Sequence, residues 1–300
     1  MTELVPTPSP ASERPSPVSG YYADPNLAIF GESYFLYPTT DGLEDWTATT
    51  FRVFSSNDLV VWRDQGVALD VATDLHWATS QAWAPTIARR GNKYFLYFTA
   101  ESNIGVAVSD SPQGPFVDIG RPLITDGDYS GRAIDPSVFV DEDDRAYLYW
   151  GNTEAHAVQL SNDMISFDPQ AVFTWTPTHF REAVWVHKRN DIYYASWSVN
   201  DTRDVNYHVL YATGSSPFGP WEDRGVLLEK DLGRGILATG HHSIVNVPGT
   251  DEWIIAYHQF AIPGGDGFHR QVAFDRLSYT ESGLIEKVAP SRSPLSIPLA

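Results

Sequence analysis

Five times along the chain a short motif opens a pair of apolar strands, and that recurrence leaves few folds open. Asp24-Pro25 precedes NLAIFGESYFLYPTTDG, Ala84-Pro85 precedes TIARRGNKYFLYFTA, and Asp135-Pro136 precedes SVFVDEDDRAYLYWG. Glu182-Ala183 falls before VWVHKRNDIYYASWS, and His241-His242 before SIVNVPGTDEWIIAYHQF. The opening positions 24, 84, 135, 182 and 241 lie 60, 51, 47 and 59 residues apart. Each unit holds a strand, a turn of Gly, Asn or Asp, and a second strand rich in Tyr, Trp and Phe. A repeat of this length with strands in every unit predicts an all-β fold, a five-bladed β-propeller with a central channel. The turns support it independently: Pro112-Gln113-Gly114-Pro115-Phe116 in unit two matches Pro217-Phe218-Gly219-Pro220-Trp221 in unit four.

The repeats run from about residue 22 to about 288, so a single propeller over residues 21–300 is expected to use nearly the whole chain. Residues 1–20 hold five prolines and no apolar run, which predicts a flexible leader. They lack the basic start and hydrophobic stretch of a signal peptide. A cytoplasmic location is the expectation, with a secreted mature form as the other reading. A net charge of −18 argues against nucleic acid and against an anionic membrane surface as partners. A neutral glycan is compatible. The absence of Cys excludes disulfides and thiolate chemistry. The acidic run Asp141-Glu142-Asp143-Asp144 reads as a solvated hairpin tip, because its spacing does not match an EF-hand loop.

In a propeller the innermost strand of every blade lines the channel, so equivalent positions converge at one end. Asp24, Asp135 and Glu182 are expected there together. Three converging carboxylates repel one another and raise at least one pKa, a poor choice for structure alone. A protonated and an ionised carboxyl flanking one bond are the apparatus of glycoside hydrolysis. Trp83, Trp150 and Trp185 are candidate sugar platforms, although strand alternation prevents all of them from facing the funnel. His241 reads either as a core histidine or as a ligand to an axial ion or water. Arg270 reads either as an exposed turn charge or as a partner of a funnel carboxylate or sugar hydroxyl. Loops around Trp46 and around His76-Trp77 are expected to block one end of a groove and make a pocket.

These five motifs, in this order, resemble those of glycoside hydrolase family 43, five-bladed propeller enzymes acting on arabinose- and xylose-containing glycans. The resemblance covers about residues 20–288. It implies that Asp24 is the general base, Asp135 the carboxylate that tunes and orients the acid, and Glu182 the general acid, with inversion at the anomeric carbon. It implies an ion near His241, usually calcium held largely through waters, and no organic cofactor. It also matches Arg270 to an active-site arginine. Ala183 departs from the family pattern, where glycine is common, and its methyl is expected to narrow the subsite beside Glu182. No C-terminal β-sandwich of the kind carried by many β-xylosidases is expected behind the propeller. The expected activity is therefore an exo-acting α-L-arabinofuranosidase, with β-D-xylosidase and endo-1,5-α-arabinanase as alternatives. A catalytically silent carbohydrate-binding propeller would have lost one of the three acids. A protein-interaction propeller would lack converging acids, and a levan- or sucrose-cleaving relative would retain configuration.

Overall fold

The structure, a computed structural model, describes residues 16–299. It is built from five antiparallel sheets arranged as blades around a channel. The first blade holds β1 (Tyr22–Phe30), β2 (Ser33–Thr40), β3 (Thr50–Ser56) and β4 (Arg63–Asp70). Blade two holds β5 (Trp83–Arg90), β6 (Lys93–Ala100), β7 (Asn103–Ser109) and β8 (Val117–Asp118). In the third are β9 (Ser137–Val140), β10 (Ala146–Trp150), β11 (Ala155–Gln159) and β12 (Phe173–Trp175). Then come β13 (Glu182–Arg189), β14 (Ile192–Val199), β15 (His208–Gly214) and β16 (Glu222–Leu228) in blade four. Blade five has three strands, β17 (Gly240–Asn246), β18 (Trp253–Phe260) and β19 (Arg270–Leu277). Within each sheet the strands neighbour one another in chain order. The inner strands β1, β5, β9, β13 and β17 contact one another in turn, and β17 returns to β1.

The core sits between blades. Each seam has its own apolar cluster: Phe51, Leu69 and Phe98 between blades one and two, Leu148 and Trp150 between two and three, Tyr149 and Trp197 between three and four. Tyr211 and Ile255 fill the next seam, and Leu27, Leu36 and Phe274 the closing one. Tyrosines of the second strands cross these seams to bond turns beyond. Tyr37 donates to Pro112 O at 2.5 Å, Tyr97 to Met164 O at 2.5 Å, and Tyr149 to Pro217 O at 2.8 Å. Most of the aromatic repeat is thereby explained as packing with a satisfied hydroxyl.

Blades one and five come from opposite ends of the chain and share no strand, so side-chain bonds and the terminal segments close the ring. Ser243 Oγ accepts the Leu27 N–H at 2.9 Å and donates to Pro25 O at 2.8 Å. The C-terminal segment is a strap. Val288 N–H bonds Leu227 O at 2.8 Å on blade four, and Leu299 N–H bonds Asn57 O at 3.0 Å on blade one. Ile297 is buried, and its carbonyl accepts from Tyr34 Oη at 3.0 Å. Residues 1–15 of the expected leader lie outside the described residues. Val18, placed in that leader from sequence, is buried at the closing seam.

Candidate active site

The repeat has a backbone cause. Asp24, Ala84, Asp135, Ala183 and His241 all adopt left-handed φ, between 44° and 61°. Such a conformation costs a residue with a Cβ about 1–2 kcal/mol. In blades one, two, four and five the register slips at this point, between Ala23 and Asn26, Trp83 and Thr86, Glu182 and Trp185, and Gly240 and Ser243. Most of these strained amides are capped from the second strand of the preceding blade. Ala84 N–H donates to Thr39 Oγ1 at 2.7 Å, Asp135 N–H to Thr99 Oγ1 at 3.0 Å, and His241 N–H to Ser198 Oγ at 2.9 Å. Asp24 N–H reaches His258 Nδ1 at 3.2 Å.

This corrects the expected equivalence of the three acids. The counterpart of Asp24 and Asp135 in blade four is Ala183, and Glu182 stands one residue earlier, where blade two has Trp83 and blade three Ile134. The kink divides the lining. Residues at the left-handed position line the axial cavity, and Trp83, Ile134 and Glu182, just before it, line the mouth. Glu182 therefore stands on the wall of the mouth, while Asp24 and Asp135 rise from its floor. Ala183 lines the axial cavity beneath and not the mouth, contrary to the expectation that its methyl narrows a subsite. A left-handed φ of 61° gives a backbone reason for glycine at that position.

All three carboxyls are buried, and their surroundings differ. Asp24 Oδ1 lies 3.0 Å from His258 Nδ1, 3.2 Å from His241 Nδ1 and 3.3 Å from Arg270 Nη1. Burial works against its ionisation, but His241, Arg270 and His258 outweigh it and hold Asp24 well below the usual carboxylate range. Asp135 is pushed well above that range by burial, then by the nearby Glu182 and Asp24. Burial also raises Glu182, opposed by Arg181 and by Tyr207. Tyr207 Oη donates to Glu182 Oε1 at 3.0 Å, and Asn152 Nδ2 to Oε2 at 2.9 Å. A carboxyl held below its usual range thus shares the site with one pushed above it.

Arg270 is buried, not an exposed turn charge. Asp41 holds it by Nε at 2.8 Å and Nη2 at 3.1 Å, and accepts its backbone N–H at 3.0 Å. Its Nη1 also donates to Thr202 Oγ1 at 3.1 Å. Trp46 leans over the mouth as expected. Its Nε1 donates to Gly267 O at 3.1 Å, its carbonyl accepts from Trp83 Nε1 at 2.7 Å, and its ring meets Phe268 at 4.5 Å. Trp46, Trp83, Ile134, Arg132, Arg181, Asp201, Thr202 and Arg203 complete the wall of a cavity of about 130 Å³.

Trp150 is not in that wall. Its ring is buried at the seam between blades two and three, stacked on His156 at 5.2 Å. β10 is buried along its whole length, so no face of it opens to the mouth. Trp185 turns to the axial cavity. Trp77 stacks on Phe98 at 6.0 Å and donates to Asp118 at 3.0 Å, so its loop packs on the barrel flank instead of closing the mouth. Asp41, Asp201 and Tyr207 escaped the sequence reading. Asp41 sits in an Asp-Gly turn and Asp201 in an Asn-Asp-Thr turn, where acids are ordinary turn residues.

The axial cavity, about 20 Å³, has room for roughly one water. Thr86 Oγ1, Trp185 Nε1 and His242 Nδ1, from residues that line it, have no hydrogen-bond partner. Calcium takes 6–8 oxygens, whereas this set offers one hydroxyl oxygen and an indole N–H that only donates. Among the described residues no cluster of three or more His, Asp or Glu forms a metal site. The unpaired atoms alone do not make a calcium shell, so an ion here would be held largely through waters. His241 lines this cavity, and its Nδ1 lies 3.2 Å from Asp24 Oδ1.

A five-bladed propeller that gathers one carboxyl held low and two raised ones in an arginine- and tryptophan-lined mouth is a glycosidase scaffold. The chain belongs to glycosyl hydrolases family 43, whose profile matches residues 15–285. It is 35% identical to the β-D-galactofuranosidase xynD of Aspergillus niger, over 89% of this chain and 82% of that one. It is 32% identical to xylosidase/arabinosidase 43A of Humicola insolens, over 90% and 97%. The crystal structure of CoXyl43, a β-xylosidase/α-arabinofuranosidase from a compost metagenome in complex with xylotriose, calcium-free form, superposes with a TM-score of 0.78. That match has 31% identity and covers 92% of this chain and 97% of the other.

Proposed function

We propose that the protein is an exo-acting, inverting α-L-arabinofuranosidase that releases L-arabinofuranose from arabinan, arabino-oligosaccharides or arabinose-decorated xylan. The observation that carries the reading is the small size of the mouth. A cavity of about 130 Å³, with Trp46 in its wall, suits one terminal pentose, whereas pockets for drug-sized ligands run to roughly 300–1,000 Å³. The β-D-galactofuranosidase relative favours a furanose ring over a pyranose. β-D-galactofuranose is the same ring as α-L-arabinofuranose with one more carbon on the exocyclic arm, so it is the second reading.

Glu182 protonates the glycosidic oxygen as the bond to the anomeric carbon breaks. Asp24, kept ionised by Arg270 and the two histidines, takes a proton from the water attacking the opposite face. Asp135 stands between them as a third buried carboxyl. Burial and the charge of Asp24 favour the protonated form of Glu182. Arg270 and Thr202 present donors to sugar hydroxyls.

The test pairs α-L-arabinofuranoside and β-D-xyloside chromogenic substrates, with a natural disaccharide alongside, on wild type and Glu182→Gln. Arabinoside preference with a fall of about 10²–10⁴-fold on the disaccharide in the variant supports the reading. Xyloside preference overturns the sugar and keeps the acid. Full activity in Glu182→Gln overturns the mechanism.

A further inference from the structure

Arg181 stands beside Glu182 in the chain and in the mouth. Its guanidinium is held from the far side by Asp201, with Nη2 to Oδ2 at 3.2 Å. Asp201 is gripped in turn by Arg203, through Nε at 2.7 Å, Nη2 at 2.9 Å and the backbone N–H at 3.0 Å. Arg181 Nε is different. It is buried, has no hydrogen-bond partner, and lies 3.7 Å from Glu182 Oε2. That is too long for a hydrogen bond and close enough for strong charge coupling. Buried N–H groups are rarely left unpaired, so an orphan beside a reacting group asks for an explanation.

The reaction supplies one. When Glu182 hands its proton to the leaving oxygen, the bonding pair stays with that oxygen and Glu182 is left with a full negative charge. The oxygen of the attacking water bonds the anomeric carbon and its proton passes to Asp24. The two donors already on Glu182, from Tyr207 and Asn152, are neutral and in use before the step. We infer that Arg181 is a positioning residue set for the ionised form of Glu182: its unpaired Nε–H closes on Oε2 as the proton leaves, and Asp201 limits how far the guanidinium leans. This rests on Glu182 being the acid.

The charged and titratable groups facing Glu182 are Arg181, Tyr207, Asp24, Asp135 and Asp201, with Arg203 behind Asp201. Arg181 is the cation within 4 Å of its carboxyl among the described residues. Removing it and removing Asp201 must therefore act on Glu182 with opposite sign. In Arg181→Gln the acid loses its cation and holds its proton longer. The alkaline limb of the kcat/KM profile then moves up by about one pH unit, the low end of the range for an opposite charge at this distance. In Asp201→Asn the guanidinium is no longer shared, and the limb moves down.

The experiment measures pH profiles of wild type, Arg181→Gln, Arg181→Lys and Asp201→Asn on a disaccharide and an aryl glycoside, with melting temperatures alongside. Limbs displaced in opposite directions, with a larger rate loss on the disaccharide than on the aryl substrate, support the inference. Partial recovery in Arg181→Lys adds to it. An unmoved limb, or movement in the same direction, in folded Asp201→Asn overturns it even where Arg181→Gln fails to fold. A Glu182→Gln enzyme that keeps both its rate and its alkaline limb defeats the underlying assignment of the acid instead.

Discussion

Replacing Asp41 with asparagine removes the charge that balances a buried guanidinium. Asp41 has no exposed side-chain surface and Arg270 has 4%. Three donors of Arg270 end on the Asp41 carboxylate, two from the side chain and one from the backbone. Asparagine keeps the shape but turns an N–H₂ toward that guanidinium or loses one oxygen. Breaking a buried pair by removing one partner costs about 3–5 kcal/mol. Asp24 remains 3.3 Å from Nη1 and compensates part of the cation, so the lower half of that range applies to folding. Unfolding entropy of about 2.1 cal/mol/K per residue gives about 0.63 kcal/mol/K for 300 residues. The expected fall in Tm is therefore about 5–6 °C. Arg270 also swings toward Asp24 in the variant, which ties up the base and lowers kcat. The assay is calorimetry at neutral pH together with arabinoside kinetics. The double replacement Asp41→Leu, Arg270→Met should regain much of the stability, because apolar groups of similar volume often match a buried pair, and none of the activity. A single variant that melts within about 1 °C of wild type refutes the claim that this pair is an integral part of the mouth.

Asp135→Asn should stabilise the protein at neutral pH. Its folded pKa is raised above the ordinary 3.8, so its contribution is full below that pH and is lost as pH rises through the folded value. The variant should match wild type near pH 3.5 and melt higher at pH 7, with activity lost; equal melting at both pH values would sink the argument. Asp24→Asn has the opposite sign, because its carboxyl is depressed, and should lose stability above pH 4. Trp46→Ala should raise KM by about tenfold with little change in Tm, since a partly buried wall residue is removed. Trp150→Ala should cost about 3–5 kcal/mol in urea unfolding and leave KM unchanged; a rise in KM there would restore it to the mouth.

The blade count was legible because a propeller repeats its strand grammar at fixed spacing, and five units remain visible through very different residues. Asp24 and Asp135 were legible for the same reason. Glu182 was found, yet its equivalence to the other two was misread by one residue, because nothing in the letters Glu-Ala marks which of them carries the left-handed φ. Pairing across β13 and β14 decides that, and with it whether a side chain points to the axis or the wall. Trp150 and Trp46 show the limit from the other side. Both are tryptophans at or just beyond the end of a blade's second strand, and only the packing of neighbouring blades places one in a seam and the other in the wall of the mouth.

What the sequence determined by itself was therefore periodic: strands, turns, blade number, order of blades and the acids attached to that period. What the tertiary structure decided was whatever depends on contacts between residues far apart in the chain. Asp41 meets Arg270 across 229 residues, and Asp24 meets His258 across 234. The C-terminal segment straps blade four to blade one through Val288 and Leu299. Such pairings leave no local trace, because each partner reads as an ordinary turn or strand residue until ring closure brings them together. Once together and out of water, neighbouring charges set each carboxyl apart from the others. That difference between Asp24 and Glu182, invisible in two acidic letters, is what suits one to accept a proton and the other to give one up.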